Sequence, residues 1–127
     1  NLQLALEAFE KAIDLKPKFW EAINNKGLVL FEMGKIQKAI ISWRNALSIS
    51  KNSEPMLALA AALNKIENSN NDSLELAKKA LNQNPNYVSS KYQKEQLWGY
   101  QLQKATKELL EHPDLKSDVG RALENSN

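Results

Sequence analysis

The chain has no cysteine, one histidine, four glycines and four prolines among its 127 residues. Without thiols there is no disulfide framework and no thiolate to attack a substrate or hold a metal, which fits a reducing compartment. One histidine, His112, leaves no pair to share a metal ion, and no His–carboxylate spacing matches a ligand motif. Four scattered glycines build no phosphate-cradling loop. Charge of one sign is also lacking, with 17 Lys plus Arg against 15 Asp plus Glu in alternation, so no basic block marks a nucleic-acid surface. The longest apolar run, Met56 to Leu63, is too short to span a bilayer. These absences argue against an enzyme and against nucleic acid or a membrane span, and no cofactor or metal is expected. His112 precedes Pro113, where its ordinary role is to cap a helix boundary. A cytoplasmic location is expected. The chain opens without Met inside a helical pattern, so a targeting segment upstream of Asn1 stays open.

Periodicity is what the sequence does have. Ala12, Ala46 and Ala80 are 34 residues apart, each followed by a branched apolar residue: Ile13, Leu47 and Leu81. Pro17 and Pro85 close two of the units at the same offset, and Ala5, Ala39 and Ser73 open the same helices. A period of this length signals a helical hairpin repeated along the chain, each copy burying the face its neighbour exposes. Within the units, apolar residues fall at helical spacing: Leu2 to Ile13 before Pro17, then Phe19 to Met33, then Ile36 to Ile49. Gly34-Lys35 is the expected turn between the second and third helices, since glycine enters the left-handed region freely. Ser53 is the expected cap of a fourth helix that carries Pro55 in its first turn and ends near Glu67. Asp72 with Glu75 resembles a capping box for a fifth helix that stops at Asn84-Pro85. Tyr87 to Leu110 reads as helical, and whether Gly99 divides it into a hairpin stays open, with the spacing leaning towards a break. Leu115, Val119, Ala122 and Leu123 form a last short stripe, suited to closing a stacked array.

The residues at this period resemble the tetratricopeptide repeat family. Residues 20–53 carry the resemblance best, through Ile23, Gly27, Leu30, Gly34, Ala39, Trp43 and Ala46, while Lys26 and Lys51 depart from the pattern. Residues 54–87 follow through Leu57, Ala61, Ser73, Ala80 and Pro85, and residues 1–19 match as a second helix alone. Residues 88–127 read as a degenerate repeat and capping helices. The resemblance implies one all-α domain over 1–127, an α-solenoid of antiparallel helix-turn-helix hairpins. It also implies a non-enzymatic scaffold that binds a partner protein or peptide in a concave groove lined by first helices.

By register, that groove takes Asn24, Asn25, Leu28 and Phe31 from one hairpin and Ala58, Leu59, Ala62 and Lys65 from the next. Tyr92, Gln93 and Gln96 complete it. Family members that grip a chaperone's C-terminal carboxylate use Lys, Asn and Arg at set places. Here only Asn25 has a counterpart, which argues against that ligand. The lining is apolar with amide edges, suited to a helix or an extended apolar segment. Two alternatives stand beside this reading. One is self-association as a homo-dimer, through Leu2, Leu6 and Phe9 on a first helix whose repeat partner is missing. The other is an accessory region of a larger enzyme.

Overall fold

A computed structural model describes all 127 residues. Eight α-helices follow in order, with no strand: α1 (Leu2–Leu15), α2 (Trp20–Glu32), α3 (Ile36–Ile49), α4 (Ser53–Ile66), α5 (Asn71–Gln83), α6 (Ser90–Glu95), α7 (Tyr100–Leu110) and α8 (Lys116–Asn125). Single 3₁₀ turns at Pro85–Val88 and Pro113–Leu115 precede α6 and α8. From α1 to α5 each helix packs on the next, the arrangement that short connections between amphipathic helices impose. The fold is therefore an all-α helical repeat over this part of the chain.

Local chemistry sets the helix ends. Asn1 Oδ1 accepts hydrogen bonds from the Gln3 and Leu4 amides at 2.9 and 3.2 Å. Asn52, not Ser53, caps α4: its Oδ1 accepts from the Glu54 amide at 3.1 Å, while Ser53 is buried in the first turn. Likewise Asn70 caps α5 by accepting from the Ser73 amide at 3.0 Å, which places the helix start before the expected Asp72–Glu75 pair. In both cases asparagine lies one or two residues upstream and satisfies the same orphan N–H groups. Gly34 has φ +82° and makes the turn into α3.

Small residues let the hairpins close. A Cβ on Gly27 would lie 2.6 Å from Trp43 Nε1, so glycine is what allows α2 to meet the fully buried Trp43 of α3. Ala46 and Ala80 are completely buried, whereas Ala12 is only half-buried because α1 has its extensive packing on one side, against α2. Buried hydroxyls tie second helices to first ones. Ser42 Oγ donates to the Ile23 carbonyl at 2.7 Å, and Ser73 Oγ to the Ala60 carbonyl at 2.6 Å.

Beyond Pro85 the stacking ends. Residues 88–111 do break, but not as a stacked hairpin: α6 stops at Glu95, and the chain turns through Leu97 at φ +68°. Gly99 has φ −77° and merely precedes α7. Helix α7 then lies along α4 and reaches α2, while α8 covers α5 and the 85–88 turn. One apolar core runs from Leu6 to Ala122, with Leu102, Ala105 and Leu109 of α7 inside it.

Candidate partner-binding face

Helices α2 and α4 are the first helices of their hairpins, and the face they share is where the sequence points. Helix α4 is buried on nearly every side, by α3, α5 and α7. Of the residues expected to line a groove, Asn24, Leu28, Phe31, Ala58, Leu59 and Ala62 are buried. Asn25 is half-buried and Lys65 exposed. The cover is the chain's own α7. It runs alongside α4 in the same direction: Trp98, just before α7, bonds to Glu54 in the first turn of α4, and His112, just after it, bonds to Ser69 beyond the end of α4.

Glu32 fixes the start of α7. Its two carboxylate oxygens accept from the amides of Gln101 and Leu102, each at 3.0 Å. A Cβ on Gly99 would run into this carboxylate, so any larger residue there would push the Glu32 side chain aside. A carboxylate in the last turn of α2 is placed against that helix's own dipole, and the unpaired N–H groups of α7 compensate it. Glu54 makes a second junction. Its Oε1 accepts from Tyr87 Oη and its Oε2 from Trp98 Nε1, both at 3.1 Å. Burial, with the negative charge of Glu54 beside it, pushes the Tyr87 phenol far above its ordinary value.

The other expected residues do not join this face. Tyr92 packs edge-on against Tyr87, with ring centres 4.9 Å apart, and Gln93 Nε2 donates to the Tyr87 carbonyl at 2.8 Å. Gln96, half-buried, ends α6. Tyr92 and Gln93 thus hold α6 on the 85–88 turn instead of extending the lining from α2 and α4. His112 caps the turn at Pro113: its Nδ1 accepts from the Asp114 amide at 3.0 Å, which leaves Nε2 as donor to Ser69 Oγ at 2.9 Å. No three His, Asp or Glu side chains gather in a metal-binding arrangement, and no helix is long and apolar enough to cross a membrane.

Residues 8–41 match the family model of the tetratricopeptide repeat, a window of one period running from α1 through α2 into α3. The chain carries a tetratricopeptide repeat. A comparison with curated proteins finds no match. Tetratricopeptide repeats generally serve as non-enzymatic scaffolds for protein–protein interaction, and the helix order of this chain is that of the repeat from α1 to α5.

Two open clefts lie on the surface. One, of about 800 Å³, lies on the outer side of α7, between Tyr100, Gln103 and Lys107 and the α8 residues Val119 and Leu123. The other, of about 720 Å³, lies between α1 and α3 and carries Lys18, Lys26, Lys35 and Lys38 around Ile13, Ile41 and Ile49. On α1 itself, Leu2 is exposed, Phe9 half-buried and Leu6 buried. The sequence pattern missed Glu32, Glu54 and Trp98. The one signal for Glu32 was an acid at a helix C-terminus, where a carboxylate is out of place without a donor brought from elsewhere.

Proposed function

We propose that this chain is a non-enzymatic scaffold that holds a partner polypeptide against the inner face of α2 and α4. The observation that supports it is that this face already accommodates a polypeptide element from outside the hairpins: α7 lies on it, with Glu32 reading the amides at its start. An apolar surface with a few fixed polar groups at its edge is the usual make-up of a peptide-recognition face. Asn25 and Lys65 are the accessible members of the expected lining, on α2 and α4. A photo-crosslinking side chain placed at either should capture the partner in cells, and one at exposed Lys38 or Lys79 should not. Capture from the Lys38 or Lys79 position alone would move the site to the outer surface.

A second reading, self-association, has its own support. Leu4 and Leu15 of α1, 63% and 81% exposed, lie on one side of the helix with exposed Ala8 between them.

A further inference from the structure

Resting on the inner-face reading, we infer that the ligand is an amphipathic helix and that α7 is the chain's own occupant of its place, to be displaced when the partner binds. An apolar face with amide edges fits an extended segment or a helix equally well. What lies on it decides between them.

The residues that α7 buries are Leu102, Ala105, Thr106 and Leu109, at i, i+3, i+4 and i+7. Its opposite side, Gln101, Lys104, Lys107 and Glu108, is exposed. The face thus accepts a helix with one narrow stripe of leucines and small residues. Polarity is also specified. Glu32 accepts from two amides that only the N-terminus of a helix leaves free, since an extended strand presents its amides alternately to either side.

Three features make α7 a removable occupant. Its entry is a turn in which Leu97, 85% exposed, takes a φ of +68° that leucine rarely adopts. Its start has no capping side chain of its own, because Gly99 supplies none and the cap comes from α2. Its fit is imperfect, since Thr106 Oγ1 is buried with no hydrogen-bond partner. A ligand with an apolar residue at that point avoids this cost. A tethered helix competes at an effective concentration in the millimolar range, so a free ligand must improve on it to displace it.

The probe is a synthetic peptide of residues 97–111 carrying Thr106→Val. It is titrated against the full chain and against the full chain with Leu102→Asp, which puts a charge into the buried stripe of α7 and changes no residue of α2 or α4. The expected result is at least tenfold tighter binding to the variant. In the wild type, excess peptide should speed hydrogen exchange in α7 while α2 and α3 stay protected, a readout that holds even where the variant fails to fold. A second peptide with Ala105→Pro cannot form the helix and should not bind. Equal binding of the two peptides would overturn the helical ligand while leaving the inner-face reading in place. Failure of both to bind a folded variant would remove the inner-face reading itself. Exchange of α7 no faster than that of α3, with or without peptide, would show α7 to be permanent core.

Discussion

At the residue scale, the tyrosine–glutamate junction makes a prediction that composition alone does not. Tyr87 is buried and donates to Glu54, so its phenol is held in the protonated form well above its ordinary value. A group whose folded value is raised contributes stability that is complete below its unfolded value, about 10 for tyrosine, and is lost as pH rises above it. Melting temperature should therefore fall steeply above about pH 10. Tyr87→Phe should flatten that fall while lowering stability at neutral pH, by about 2 kcal/mol for the lost bond to a charged acceptor. Melting curves of both proteins from pH 8 to 11.5 check it, and parallel curves would show that Tyr87 does not carry the alkaline sensitivity. None of this was legible in the sequence, because Tyr87, Glu54 and Trp98 come together only when α7 folds back. By contrast, Gly27 was legible: a glycine in mid-helix at a repeat position signals close approach, and Trp43 is what approaches.

Among the elements, legibility follows the range of the interactions that form them. Helices α1 to α5 are set by apolar spacing, turn residues and a repeated period, all local, and their bounds fall within a residue or two of what the pattern predicts. Caps were less readable because asparagine at 52 and 70 competes with the nearby Ser53 and Asp72 for the same role, and only geometry decides. The place of α7 was not readable at all. Its stripe declares a helix, but a stripe does not say which face it will cover, and the repeat pattern suggested stacking onto the array. The tie that holds it is testable. Glu32→Ala leaves the Gln101 and Leu102 amides without an acceptor and should cost about 1 kcal/mol, the usual worth of a helix cap. Glu32→Gln should retain part of it. Urea titration gives the loss, and hydrogen exchange should place it in the first turn of α7. Equal stability of all three proteins would mean that apolar contact alone holds the helix.

At the scale of the whole molecule, the question is what α1 does with the side it does not bury. Leu6, Phe9 and Ile13 turn towards the array, which is why Leu6 is 6% exposed and unsuited to the docking role that register suggests for it. The open side instead runs through Leu4, Ala8 and Leu15, with Ala12 at its edge. This follows from helical geometry. Residues four apart share a face, so the stripe containing Leu6 and Ile13 and the stripe containing Leu4 and Leu15 lie on different sides of one helix. The Leu4 side is the one α1 leaves uncovered. Burying apolar surface contributes about 25 cal/mol per Å², enough for two copies to pair weakly through a self-complementary face if both present the same stripe. Leu4→Glu with Leu15→Glu should keep the protein monomeric at concentrations where the wild type gains mass in light scattering. Both positions are exposed, so the melting temperature should stay within about 2 °C of the wild type. Leu6→Glu, by comparison, should unfold α1 rather than separate subunits, because it places a charge among buried apolar side chains. A wild type of constant monomer mass from micromolar to millimolar concentration would refute pairing through α1.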